Sequence, residues 1–327
     1  MSKDQTQRFK KIKKLSRGWR ILLFSSCLVL LLLLPWLTGI LSLQAPPDNA
    51  VISQLPGELA HLSAGDVYYE LSGPVDNPMV VMIHGFSAHA FIWENNYTPL
   101  VQQGYCVLRY DLYGRGYSAK PGLANDSQLF RNQLYELLEF LHINKPVNII
   151  CASMGALIAA DFARHYPAHI AGLVFISPVI GNNQSTANTL MKIPVLGEYL
   201  VHSIGTPMLR HTYRQVFVKA GDNKQTLDKF LLPGQFKGYK ASLLSSLRHI
   251  LNSDSGIPYR QLAVQMEFPA ILIWGQEDDI VPYAYHRLFL EIFPGMPFYT
   301  IQAAGHCSQY EQAEAVNTIL LDFLEDT

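Results

Sequence analysis

Four short stretches of this chain set reactive side chains beside small residues, each directly after an apolar, β-branched run. The first is Cys151-Ala152-Ser153-Met154-Gly155, between the apolar run PVNII and the helical pattern ALIAADFARHY. A serine on a sharp strand-to-helix turn has an exposed hydroxyl and a crowded backbone, so the residues two before and two after it must be small. Here they are Cys151 and Gly155. Read alone, the motif also fits a serine that merely caps the following helix. The second stretch is His84-Gly85-Phe86-Ser87. It brings the Phe86 amide beside that turn, where Phe86 and Met154 N–H groups together would stabilise an oxyanion. His84 itself reads as a buried, hydrogen-bonded histidine that shapes the loop. The third, Trp274-Gly275-Gln276-Glu277-Asp278-Asp279-Ile280-Val281-Pro282, follows a buried strand with three carboxylates, one of which is expected to accept an imidazole N–H. The fourth is Ala303-Ala304-Gly305-His306, where glycine lets the chain turn back toward the sheet edge.

Serine, acid and histidine in this chain order are what nucleophilic catalysis on a parallel α/β sheet uses. The chemistry implied is removal of the Ser153 proton by His306, attack of Oγ on a carbonyl, and an acyl-enzyme released by water. It requires no metal and no organic cofactor. A serine at the turn, in place of an aspartate, argues against attack on carbon by a carboxylate.

Strands are expected at 67–72, 79–84, 105–110, 146–151, 172–177, 270–274 and 297–302. Helices are expected near 92–103, 127–142, 154–165, 283–293 and 311–325. This alternation predicts an α/β domain over 58–327 with a mostly parallel sheet flanked by helices. The alternation fails over about 179–264, where helical patterns follow one another without strands. An insertion there would form a helical cap over the carboxyl edge of the sheet, where open α/β folds bind ligands.

With these pieces in place the chain resembles the α/β-hydrolase superfamily over residues 58–325. The resemblance rests on HGFSAHAFIW (84–93), DLYGRGYS (111–118), CASMG (151–155), WGQEDDIVP (274–282) and AAGH (303–306). It implies that the acid is Asp278, the aspartate three after the glycine in G-x-x-D-x-x-x-P, with Asp279 second. It also implies that Asp111, Gly114 and Gly116 form a supporting turn. HGFSAH and an apolar N-terminal segment are similar to those of single-pass monoacylglycerol lipases. The expectation that follows is a serine hydrolase of carboxylic esters, lipid-like ones such as monoacylglycerols, with the apolar segment 190–209 of the cap near the substrate. The alternatives are a thioesterase, a C–C bond hydrolase, a haloperoxidase-type enzyme or a non-enzymatic ligand-binding module.

The N-terminus reads separately. Residues 21–43 carry no charge, and 23 residues at ~1.5 Å rise would cross a ~30 Å hydrocarbon layer. The run is too long for the core of a cleaved signal peptide, and it is preceded by a basic stretch, 1–20, with eight Lys or Arg and one acid. By the positive-inside rule this predicts a transmembrane helix with a cytoplasmic N-terminus, a linker over 44–57 and an extracytoplasmic body, periplasmic in a Gram-negative cell. Beyond residue 20 the chain holds 17 basic and 25 acidic residues. That balance gives no electrostatic footprint for nucleic acid. The four cysteines show neither metal-ligand spacing nor a disulfide framework. Cys106, Cys151 and Cys307 read as small packing residues.

Overall fold

A computed structural model describes residues 17–41, 43–45, 52–181, 186–218, 223–251 and 254–327. The strands are β1 (Glu58–Leu62), β2 (Gly65–Ser72), β3 (Met79–Ile83), β4 (Cys106–Tyr110), β5 (Val147–Ala152), β6 (Ile170–Ile176), β7 (Ala270–Gly275) and β8 (Phe298–Ile301). They form one sheet in the order β1-β2-β4-β3-β5-β6-β7-β8, with β1, β2 and β4 paired antiparallel and the rest parallel. β3, β5 and β7 are buried along their whole length. Helices cover both faces of the parallel part, so its strands carry continuous apolar runs without alternation.

The helices, in chain order, are α1 (Arg17–Leu41), α2 (Glu94–Gln102), α3 (Ser127–Phe140), α4 (Met154–His165), α5 (Thr186–Lys192), α6 (Leu196–Val216), α7 (Lys224–Leu231), α8 (Tyr239–His249), α9 (Gly256–Ala263), α10 (His286–Ile292), α11 (Ser308–Glu311) and α12 (Ala313–Glu325). α5 to α9 all fall between β6 and β7, and α6 to α8 make the helical cap. One apolar core joins one face of the sheet to α3, α4, α9 and α10, and a second joins the other face to α12 and to cap residues Leu209, Tyr213 and Phe230. The cap is therefore packed into the body through its own hydrophobic contacts. Residues 190–209, expected to lie near lipid, contribute Leu209 to this packing, while Met191 and Val201 form a separate cluster with Leu244 and Leu247 of α8.

The transmembrane assignment of 21–43 is corrected: among the described residues no helix is long and apolar enough to cross a membrane. The single-pass topology, the cytoplasmic N-terminus and the extracytoplasmic body go with it. Residues 21–41 of the run lie in α1, and the carboxyl end of α1 packs on the cap. A Cβ on Gly39 would come within 1.9 Å of the His202 carbonyl oxygen of α6, so the two backbones touch. The start of the expected linker is likewise docked. Gln44 N–H donates to the Gln235 carbonyl at 2.7 Å, and Lys237 N–H donates to the Gln44 carbonyl at 2.8 Å. Other apolar side chains of α1 face outward, with Phe24 72% and Leu41 73% exposed. Residues 1–16 of the basic stretch and 46–51 of the linker lie outside the described residues.

Candidate active site

Ser153 sits between β5 and α4 with φ 55° and ψ −121°, a backbone conformation costly for any residue with a Cβ. Neighbours hold it there. Its N–H donates to the Ile176 carbonyl at 3.0 Å, and its own carbonyl accepts from Ala156 N–H at 3.1 Å and Val179 N–H at 3.3 Å. Its side chain makes no capping hydrogen bond to α4, so the role of a simple helix cap does not apply. The need for small neighbours is visible at Gly155, where a Cβ would lie 2.6 Å from the Ile83 oxygen and 2.7 Å from the His84 oxygen. Cys151 is buried, and its thiol donates to the Val174 carbonyl at 3.2 Å. Burial pushes that thiol's pKa well up, which leaves it a packing group. Cys106 and Cys307 are buried as free thiols too.

The acid and histidine loops are joined along their backbones. Gln276 N–H donates to Ile301 at 3.0 Å and Glu277 N–H to Ala304 at 2.9 Å. Gly275 permits this contact, since a Cβ there would lie 2.1 Å from the Gly305 oxygen. The consequence is a 2.8 Å hydrogen bond between His306 Nδ1 and Asp278 Oδ2. The other oxygen, Oδ1, accepts from Ile280 N–H and Val281 N–H, both at 2.9 Å. Asp278 is buried and Asp279 exposed, so it is Asp278 that meets the imidazole. A carboxylate can only accept, so Nδ1 carries the proton and Nε2 is left as an acceptor.

Ser153 and His306 line one cavity of about 90 Å³ together with Gly85, Phe86, Thr212 and Phe230. Beside it is a second, apolar space of about 150 Å³ that shares Phe86, Ser87 and Thr212 and continues along Val201, Met208 and Leu209 of α6. The Phe86 and Met154 amides donate no hydrogen bond among the described residues. Met154 is also the first residue of α4, where the helix carries its partial positive charge. The arrangement offers an uncapped hydroxyl, a proton acceptor with fixed tautomer and two unused donors around one small cavity.

The loop that carries Phe86 is anchored from behind. His84 is fully buried. Its Nδ1–H donates to the Gly85 carbonyl at 2.9 Å, and its Nε2 accepts from Leu112 N–H at 2.9 Å. Burial lowers its pKa to about 4. Asp111 accepts from Ala90 N–H and Tyr117 N–H at 2.8 Å each, and Gly116, at φ 45°, passes so close that a Cβ would overlap the Asp111 carboxylate. One residue of this turn escaped the sequence reading. Arg115 is fully buried, donates from Nε to the Phe86 carbonyl at 2.9 Å and from a terminal nitrogen to Ser246 Oγ of α8 at 2.9 Å. Tyr239 adds a second clamp, its hydroxyl donating to the Ser87 carbonyl at 2.7 Å. The only signal in the sequence was an arginine set between two glycines.

Fold and geometry together define the class: this is an α/β-hydrolase fold with a helical cap. The chain superposes on a bromoperoxidase from Bacillus anthracis with a TM-score of 0.70 and 22% identity, over 82% of this chain and 99% of the other. It superposes on a thermophilic esterase from Thermogutta terrifontis with a TM-score of 0.69 and 21% identity, over 83% and 99%. Residues 76–226 match the family described as Serine aminopeptidase, S33. Among curated proteins, a 2-hydroxy-6-oxononadienedioate/2-hydroxy-6-oxononatrienedioate hydrolase 2 from Pseudomonas putida is 26% identical over 260 residues, 75% of this chain and 87% of that protein. The hydrolase of the same name from Cupriavidus pinatubonensis is 27% identical over 258 residues, 75% and 86%. These relatives are named for dienedioates and not for lipid esters. They overturn the expectation of a carboxylic ester hydrolase acting on monoacylglycerol-like lipids, and with it the likeness to membrane-anchored monoacylglycerol lipases.

Proposed function

We propose that this protein is a serine hydrolase that breaks a carbon–carbon bond next to a ketone, in a substrate of the 2-hydroxy-6-oxo-dienedioate type. The observation that carries the reading is Ser153, held at φ 55° with its hydroxyl uncapped, in one cavity with a His306 whose Nδ1 is engaged by Asp278. The curated relatives supply the substrate class. A hydroxy-oxo-dienedioate contains carboxylates, an enol and a ketone but no ester, so hydrolysis must cut carbon from carbon.

His306 Nε2 takes the Ser153 proton as Oγ adds to the ketone carbon, and the new oxyanion is held by the Phe86 and Met154 amides. Before cleavage the enol proton moves to the chain carbon beside the ketone, which turns the 2-hydroxyl into a second ketone and that carbon into a CH₂ group. Collapse of the adduct then breaks the bond to this CH₂ carbon, its electron pair passes through the remaining double bond onto the 2-oxygen as a dienolate, and His306 returns the serine proton to that oxygen. Water activated by His306 then frees the acyl group as a carboxylic acid. Asp278 keeps the imidazolium oriented and charge-balanced throughout.

The test follows absorbance of 2-hydroxy-6-oxononadienedioate with the purified chain, whose conjugated chromophore is lost on cleavage. Turnover by the wild type and none by Ser153→Ala is expected. Equal rates for the two proteins would refute the proposal.

A further inference from the structure

A wide cleft lies away from Ser153, on the outer side of the cap. It measures about 830 Å³ and lies between α6, α7 and the turn Leu232–Gln235, with Leu43 at its edge. Four cations line it. Lys224 is paired with Asp228 at 2.5 Å, and Lys229 with Glu94 at 2.5 Å. Arg210 and Lys240 have no hydrogen bond or ion pair among the described residues, although Lys240 is only 3% exposed. Its stem packs beside Gly205, 3.5 Å from where a Cβ would be, an ordinary van der Waals distance. The residue is covered along its stem while it lines the cleft, so an anion or strong acceptor bound there would meet an ammonium that no described residue engages. Burial lowers its pKa accordingly. Apolar surface adjoins the two free cations: Leu43, Leu209 and Leu232 line the same cleft. A chain that beyond residue 20 has an excess of acids thus gathers positive charge over a greasy floor at one place.

We propose that this cleft is a second ligand site, for a small organic carboxylate whose charged end is taken by Lys240 and Arg210 and whose apolar body lies on Leu43, Leu209 and Leu232. Both the acid released by a hydrolase and an unrelated cellular acid have this chemistry. The site is separate from the cavity at Ser153, so its occupancy does not depend on the reaction proposed there.

Saturation-transfer NMR on the full chain carrying Ser153→Ala, with hexanoate, hexan-1-ol and inorganic phosphate as probes, tests this. Hexanoate should bind saturably, with the alcohol and phosphate each at least tenfold weaker. Lys240→Met should weaken hexanoate tenfold or more, and the exposed Arg210→Gln severalfold, with melting temperatures reporting that both variants are folded. Arg210→Gln carries the test if Lys240→Met does not fold. Wild type labelled at Ser153 with a fluorophosphonate should bind hexanoate as before. To separate the two sources, the acid products of 2-hydroxy-6-oxononadienedioate cleavage are titrated beside hexanoate, and the tighter binder names the natural class. Hexanoate binding that is absent, unchanged in the folded variants, lost on labelling Ser153, or matched by phosphate would overturn the proposal.

Discussion

Arg115 ties the Phe86 carbonyl to Ser246 of the cap through a single buried guanidinium, at 2.9 Å on both sides. The peptide that follows the Phe86 carbonyl, the ring over which the guanidinium lies at 5.5 Å, and α8 are thereby fixed together. Removing the cation strands buried acceptors on two elements at once. Arg115→Met should cost about 3 kcal/mol of stability, in the range for leaving buried acceptors without their charged donor. If the Phe86 amide is an oxyanion donor, kcat should also fall by ~10². Arg115→Lys should not rescue either effect, because one ammonium cannot serve the same fork. Urea denaturation and steady-state kinetics read the two effects separately.

Asp278→Asn tests the histidine tautomer. The carboxylate accepts three hydrogen bonds, one from His306 and two from backbone amides. An asparagine that keeps its oxygen on the amides must point NH₂ at Nδ1, which moves the ring proton to Nε2 and removes the acceptor facing the cavity. A loss of about 10⁴ in kcat with little change in KM is expected. Fluorophosphonate labelling of Ser153 should slow in parallel, and unchanged labelling would detach Asp278 from the chemistry.

Acid should destabilise the fold through His84. Both ring nitrogens are committed, one as donor and one as acceptor, and burial holds the pKa at about 4 against 6.5 in the unfolded chain. The unfolded state therefore binds the extra proton first as pH falls. The stabilisation is complete above pH 6.5 and is lost progressively toward pH 4, amounting to about 3 kcal/mol at ~1.4 kcal/mol per pH unit. His89, whose pKa burial also lowers, contributes with the same sign. Unfolding free energies measured from pH 7 to 4.5 should show this slope, and His84→Gln should flatten it.

Gly275→Ala should misplace the His306 loop without touching it chemically. The added methyl would meet the Gly305 oxygen at 2.1 Å and the Ala304 oxygen at 2.6 Å, and the strand end on one side and the loop on the other must separate. Overpacking of this kind costs about 1–3 kcal/mol. Weaker Asp278–His306 contact should appear as a kcat loss larger than the change in KM.

Much of the sheet was legible because a parallel strand covered on both faces is written as an unbroken apolar run. All seven expected strands are found, β3, β4, β5, β7 and β8 within a residue of their expected bounds at either end. β1 was missed: ELAHL is a short edge strand in which only Ala60 is buried, so it lacks that signature. Ser153, Asp278 and His306 stood out because turns that present reactive groups need glycine beside them. The choice between Asp278 and Asp279 required coordinates, as neighbours in sequence differ only in which way they face. Arg115 was unreadable because a buried cation and a solvated one are the same letter. α1 was misread because apolarity does not show where a helix docks: its carboxyl end meets α6 at Gly39, while Phe24 and Leu41 face outward. Substrate class was misjudged because the cap is walled by ordinary aliphatic residues that also serve its packing.

The contact of Gly39 with His202 has a mechanical side. Helices that meet backbone to backbone cannot roll past one another, so α6, which also walls the space beside Ser153, takes its tilt in part from a helix outside the sheet domain. A chain shortened to start at residue 52 would release that brace. The width of the space beside Ser153 would then be set by the cap's own packing on the body and by its ties through Arg115 and Tyr239, and large ligands would enter and leave at a different speed from small ones.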